Sequence, residues 1–313
     1  MFILGTGEFV PDQVVDNEHF ARLTGRDAHW FEQRTGILRR HRAGDETVNT
    51  MAVKSVESLL ASGLSLAGVD LVLAASYTPL DTIATIAHVL QRHFALNGAR
   101  AIYVSTACSS FLDALDIAQA YLAADRARKI LIVAAEKNSA YSRDEDAMSG
   151  HLWGDGAAAV LVGDDANGAQ YRVVDVQTRG LADKGAGPEA IFCNPSGAGL
   201  VMTKGKEVFM HACHEMASIT REILGRNGLG IEDLRLLVPH QANKRIIDHV
   251  AHDLKLAPEQ VAITITELGN TGCASVAITF HRFSPQVKVG EYVLLVTFGG
   301  GYSSGAALLK RIG

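Results

Sequence analysis

Cysteine is scarce in this chain, with four among 313 residues, and none of the four forms a CxxC pair or a secreted-domain spacing. That excludes a disulfide scaffold and points to reduced thiols in a cytoplasmic setting. A surplus of positive charge is also missing. The 29 Lys and Arg face 34 Asp and Glu, for a net charge of −5, so the electrostatic footprint of a nucleic-acid partner is absent. No apolar run approaches the roughly 18–20 residues that a membrane span needs. The opening MFILGTGEFVP meets Gly5, Gly7 and Glu8 too early for a signal-peptide core. No low-complexity linker divides the chain. A cytoplasmic globular protein with no nucleic-acid or membrane partner is expected, its length sufficient for one large core or two fused smaller ones.

Two phosphate-binding signatures are incomplete. GGGYSSG (299–305) lacks the Lys-Ser/Thr of a phosphate loop, and GTGEFV lacks the third glycine of a dinucleotide fingerprint. Both read as tight turns. Glu207, His211 and His214 share a helix face at a spacing that could bind a metal, but no third element completes a site, so no metal is expected. His249 and His252 read as solvated helix residues.

Short β-branched runs alternate with longer amphipathic stretches, the pattern of an α/β protein whose strands are buried on both faces. The order of elements occurs twice. Residues 69–76 correspond to 234–240, 99–110 to 260–272, 129–136 to 291–299, and 156–163 to 305–313. The offset is about 160 residues for three pairs and about 150 for the last, which places an extra segment near 138–152. Two similar α/β halves, 1–168 and 169–313, are therefore expected. Residues 99–110 and 260–272 are each expected to run strand, polar turn, helix. Helices are expected after Cys108, over 207–224 and over 243–256. In the first, Phe111, Leu115, Ala118 and Leu122 share a face, with capping oxygens from the Ser-rich turn before it.

Four segments carry chemistry: STACSSF around Cys108, VPHQAN around His240, GNTGCAS around Asn270, and FGGGYSSG near the C-terminus. A thiol, an imidazole and a carboxamide thus each follow a strand-like run. A cysteine at a helix N-terminus is expected to have a lowered pKa, because unpaired N–H groups and the helix dipole stabilise the thiolate. Cys193, Cys213 and Cys273 read instead as small buried apolar residues. His240 should project from a strand end that Pro239 terminates. A histidine there can equally be structural, and Gly-Asn-Thr-Gly is by itself good turn chemistry. Together the three residues form a candidate Cys-His-Asn site, with the N–H groups of Cys108 and Gly300 as a candidate oxyanion hole.

These segments resemble β-ketoacyl-acyl carrier protein synthase III, a condensing enzyme of the thiolase superfamily. WFEQRTGILRR (30–40), WGDGAAAVLV (153–162), PHQANKRI (239–246), GNTGCAS (269–275) and FGGGYSSGAALL carry the resemblance almost end to end. It implies a thiolase-like fold of two α/β halves in five layers, α-β-α-β-α, and a homodimer. It implies Cys108, His240 and Asn270 as the triad of an acyltransferase in fatty-acid or related lipid or polyketide biosynthesis. Cys108 would take the acyl group of an acyl-CoA, and a malonyl thioester, carried by coenzyme A or acyl carrier protein, would then condense with loss of carbon dioxide. Trp30, Arg34 and Asn243 would touch coenzyme A, a substrate and not a cofactor; no cofactor is implied. Lys244 and Arg245 would help to dock the carrier protein.

The chain departs from the family at three places. Cys-Ser-Ser-Phe replaces the usual Cys-Ala-Gly-Phe. Ile83 stands where a Phe often caps the partner's acyl pocket, and Trp153 where Phe is common. His249, His252 and Asp253 replace a lysine pair, which weakens a basic docking face. A degradative thiolase would need a second cysteine in the glycine hairpin, which has none. Two other readings stay open: transfer of the acyl group to an oxygen or nitrogen nucleophile with His240 as general base, and a catalytically silent chain-length subunit, which would not need Cys108.

Overall fold

The computed structural model describes all 313 residues. Nine strands form one mixed sheet in the order Leu234–Pro239, Tyr292–Gly299, Ser303–Arg311, Tyr171–Gly180, Phe2–Phe9, Asp155–Gly163, Lys129–Lys137, Leu71–Ala75, Arg100–Val104. Strands from residues 2–163 lie on one side and those from 171–311 on the other. The two groups meet at only two register pairs, Phe2 with Arg172 and Ile3 with Tyr171.

Side-chain alternation turns each group into a wall with two apolar faces. Leu71, Leu73, Ala75, Ile130 and Ile132 point into a central core, while Val72, Ala74, Leu131 and Val133 point into an outer one. On the other side Leu236, Val238, Val293 and Leu295 join the same central core, and Leu237, Leu294 and Val296 face a third. The helices Ser110–Ala123 and Ala274–Phe283 fill the space between the walls. Val48–Ala61 and Ile86–His93 cover one outer face, and Gly205–Arg226 and Lys244–Asp253 the other. The result is the expected five-layer α-β-α-β-α arrangement.

One expected strand is not there. Residues 260–268 make a single bridge, Val261 to Leu237, and then the short helix Ile265–Leu268. The cause is a side chain. Gln241 Oε1 accepts from the N–H groups of Thr264 and Ile265, at 2.9 and 3.1 Å, so those donors have no need of a ladder. The helices after Cys108 and over 207–224 and 243–256 form as expected, and Asn227-Gly228 ends the second.

Gly7 sets the distance between the first strand and its outer helix. A Cβ there would overlap the backbone nitrogen of Leu59 and the carbonyl of Ser55, both in helix Val48–Ala61. Neither backbone group can move without moving the helix. Gly7→Ala should therefore lower the unfolding free energy by about 2 kcal/mol or more, read from urea denaturation. A loss below about 0.5 kcal/mol, the range of an ordinary surface change, would refute the close-packing argument.

Candidate active site

The strand Arg100–Val104 leads into a turn whose Ala107 has left-handed backbone (φ 52), and Cys108 and Ser109 follow before helix Ser110–Ala123 begins. Such a backbone is uncommon for a residue with a Cβ and must be held in place. Ser110 holds it: its hydroxyl accepts from Thr106 N–H at 2.8 Å and donates to Ala107 O at 2.6 Å. Ser109 occupies the N-cap position without capping the helix. Its backbone is already αR there, so its hydroxyl reaches across the site, donating to Ser303 O at 3.1 Å and accepting from Thr297 at 3.2 Å. The Ser-rich turn thus stitches the cysteine to the C-terminal hairpin, where end-on capping was expected.

That hairpin approaches closely. A Cβ on Gly299 would lie 3.0 Å from the backbone nitrogens of both Cys108 and Ser109. Beyond Gly301, Tyr302 is again left-handed (φ 58). Its hydroxyl donates to Glu207 at 3.2 Å, and its ring packs 5.1 Å from that of His211. Two members of the histidine-rich helix face therefore serve to hold this turn.

The pKa of Cys108 is not lowered. Burial pushes the thiol up to about 12, and the charge of Glu136 adds to the rise. The backbone N–H groups of Gly300 and Cys108 itself pull the other way, but desolvation outweighs them. The resting site therefore holds a neutral thiol with the backbone N–H groups of Gly300 and Cys108 beside it.

His240 is buried at the end of strand Leu234–Pro239, where its N–H donates to Val296 O at 2.8 Å. Burial brings its pKa down to about 4, so the imidazole is neutral at physiological pH. Nδ1 lies 2.7 Å from the Ser275 hydroxyl. The next residue, Gln241, spends its amide on four backbone groups: Pro239 O, Ala262 O, and the N–H groups of Thr264 and Ile265.

Asn270 is fixed from both sides. Its N–H donates to Leu152 O at 2.8 Å, and its carbonyl accepts from Gly154 N–H at 3.0 Å and from Asn138 Nδ2 at 3.2 Å. Gly272 N–H donates to Oδ1 at 3.0 Å, which leaves Nδ2 as the end of the amide that can donate to the cavity. Under this turn lies Glu136, fully buried, accepting from Ser76, Tyr77, Thr78 and Cys273. Burial pushes its pKa up to about 7 against those hydrogen bonds.

Cys108, His240, Asn270 and Gly300 line one cavity of about 960 Å³. Its walls are largely apolar, with Ile191, Leu200, Met202 and Met216 among them, and Trp153 is buried at its edge. Arg34, Asn243 and Arg245 also line it. The Arg34 guanidinium stacks 4.8 Å from the centre of the Trp30 ring, and Asn243 Nδ2 donates to Arg34 O at 3.2 Å. Lys244 pairs with Asp248 at 2.7 Å, so its charge is largely spent. Ile83 is 85% exposed and lies outside the lining. Cys213 and Cys273 are buried as expected, whereas Cys193 is half-exposed and faces the cavity.

Known proteins resemble this chain over nearly its whole length. Residues 103–180 match the model of 3-oxoacyl-[acyl-carrier-protein] synthase III, and residues 224–311 match that of its C-terminal region. The chain is 33% identical over 311 residues to the β-ketoacyl-[acyl-carrier-protein] synthase III of Aquifex aeolicus, covering 98% of each. The chain belongs to the β-ketoacyl-[acyl-carrier-protein] synthase III family. The synthase III of Methylococcus capsulatus is 35% identical over 320 residues, again with 98% of each chain covered. Among solved structures, 3-oxoacyl-[acyl-carrier-protein] synthase III from Aquifex aeolicus superposes with a TM-score of 0.92 at 32% identity, covering 99% of each chain. The priming β-ketosynthase of the R1128 polyketide pathway gives 0.90 at 30% identity, over 99% of this chain and 96% of that one.

Ser275, Gln241, Asn138 and Glu136 are the site residues that sequence reasoning missed. The first two lie inside segments singled out for other residues, and only the fold shows their contacts. Because burial keeps the Cys108 thiol protonated, its alkylation by iodoacetamide should accelerate about tenfold per pH unit up to pH ~10. A plateau near pH 8 would show that the amide donors win over desolvation.

Proposed function

We propose that this chain is an acyltransferase that joins an acyl primer to a malonyl thioester through an acyl-Cys108 intermediate. The observation that carries the reading is the meeting of Cys108, His240, Asn270 and Gly300 on the lining of one cavity. The family membership and the apolar walls support it.

The Cys108 sulfur attacks the thioester carbon of an acyl-CoA, and the two N–H groups hold the oxyanion. The bond to coenzyme A sulfur breaks, and the thiol proton leaves with coenzyme A. A malonyl thioester then enters. Its carboxylate departs as carbon dioxide, and the bonding pair remains as a thioester enolate. The ring N–H of His240 and Nδ2 of Asn270 donate to the enolate oxygen. The α-carbon attacks the acyl carbon, the bond to Cys108 breaks, and the sulfur takes up a proton from solvent while a β-ketoacyl thioester is released. No step calls for a cofactor.

The same proposal places Trp30 and Arg34 against coenzyme A, with Asn243 holding Arg34 in place. Arg245, at the cavity and 5.9 Å from the Phe209 ring, is the docking residue for an acyl carrier protein, with Lys244 secondary because Asp248 neutralises it. Exposed Ile83 fits a homodimer in which it meets the partner's pocket. The halves 1–168 and 169–313 are taken as two copies of one unit, each supplying a central helix whose N-terminal end reaches the site. No helix is long and apolar enough to cross a membrane.

Intact mass measurement after incubation with straight, branched and aromatic acyl-CoAs tests the reading. One of them should add its acyl mass to the wild type but not to Cys108→Ala. Malonyl thioester should then discharge the adduct as a β-keto product with release of carbon dioxide. No adduct from any primer, or an adduct indifferent to malonyl thioester, would refute condensation. Since burial brings His240 down to about 4, its ring ¹⁵N signals should stay those of a neutral imidazole from pH ~7.5 down to ~5.5. An ordinary histidine would be half protonated near pH ~6.5, and such a titration would contradict the buried, neutral imidazole.

A further inference from the structure

We infer that Ser275 is a positioning residue that locks His240 in the tautomer with its proton on Nε2, and so commits the site to carbon–carbon condensation. The inference rests on the proposed function, because it specifies what His240 can do there. It starts from a count of protons. A hydroxyl has one proton to give and two positions at which to accept. Gln241 N–H donates to Ser275 Oγ at 3.3 Å, which fills one accepting position. His240 Nδ1, at 2.7 Å, is the only acceptor within reach of the Ser275 hydroxyl proton.

The opposite assignment leaves a buried donor unpaired. If Nδ1 carried the proton, Ser275 would accept from both His240 and Gln241. Its own proton would then have no acceptor, since Ser275 is 1% exposed and its hydroxyl meets only His240 and the Gln241 N–H. Unpaired buried donors are the expensive outcome in hydrogen-bond accounting. Ser275 cannot turn away easily. It is the second residue of helix Ala274–Phe283, its N–H donates to Gly272 O at 3.2 Å, and its carbonyl accepts from Thr279 at 2.7 Å. The histidine is equally fixed by its strand and by the four-bond clamp of Gln241 beside it.

The consequence is chemical. With Nδ1 filled by the serine, Nε2–H is the polar atom that the imidazole offers to the cavity it lines. It can donate to an enolate oxygen, as condensation requires. It cannot accept a proton from an alcohol or amine, as acyl transfer to oxygen or nitrogen requires of a general base. One serine hydroxyl 35 residues along the chain therefore separates the two reactions that the triad itself leaves open.

The tautomer of His240 is readable by ¹⁵N NMR of histidine-labelled full-length protein, with the His240→Asn spectrum identifying the signal. The wild type should show a protonated Nε2 and a bare Nδ1 without any substrate present. Ser275→Ala should mix the tautomers and slow malonyl-dependent discharge of acyl-Cys108 by about tenfold or more through kcat, not KM. Ser275→Thr, which keeps the hydroxyl, should recover most of that rate. Formation of acyl-Cys108 in both variants checks that they fold. A protonated Nδ1 in the wild type would overturn the inference. So would Ser275→Ala with wild-type discharge and an unchanged His240 signal, or transfer of the acyl group to added ethanolamine faster than to malonyl thioester. Should the wild type form no acyl-enzyme, the proposed function fails, and the resting-state spectrum still decides the role of Ser275. Should Ser275→Ala not fold, the wild-type spectrum and Ser275→Thr decide it.

Discussion

Two helices in this protein start in its buried central layer, and the site exists at their N-terminal ends. Ser110–Ala123 and Ala274–Phe283 lie between two β walls and contribute to the same apolar core. A helix in that position cannot satisfy its first N–H groups with water, so the turns that precede it must be built from polar residues and ordered backbone. Those turns carry Cys108 on one helix and Asn270 on the other. Burial of the central layer thus forces two polar turns together at one end of the molecule, and the cavity opens between them.

The same burial sets the electrostatics. Desolvation raises Cys108 and lowers His240, so both side chains rest neutral. What remains is a set of fixed dipoles: the N–H groups of Cys108 and Gly300, Nδ2 of Asn270 and the ring N–H of His240. Fixed donors suit a reaction in which negative charge appears only as bonds change, because they need no reorganisation when it does. A thiolate held permanently at the site would instead be solvated by the very donors that the proposed mechanism offers to the oxyanion.

Supporting groups explain the family departures at the nucleophile. Ser109 and Ser110 stand where Ala and Gly are usual, and both hydroxyls are used, one across to the glycine hairpin and one on the strained Ala107 turn. They brace, from the side chain, a turn whose left-handed residue, Ala107, is not a glycine. Cys273 and Glu136 do similar service beneath Asn270. None of this could be read from residue order, since each bond joins residues far apart in sequence or depends on which way a short polar side chain turns.

The sequence by itself determined the layers and the cast. Alternating apolar runs of strand length between amphipathic stretches demand an α/β protein, because only such layering buries both faces of each strand. The motifs around Cys108, His240 and Asn270 marked residues that line one cavity, because each closes an element with residues that make turns. Tertiary structure alone decided how those groups behave. The pKa of Cys108 came out opposite to the helix-terminus expectation because desolvation depends on everything packed around the sulfur. Residues 260–268 abandoned a strand because Gln241, about twenty residues earlier in the chain, takes their donors. The tautomer of His240 depends on one hydroxyl that folding brings within 2.7 Å. Local sequence sets what a residue can donate, accept or bury; only packing chooses the partner.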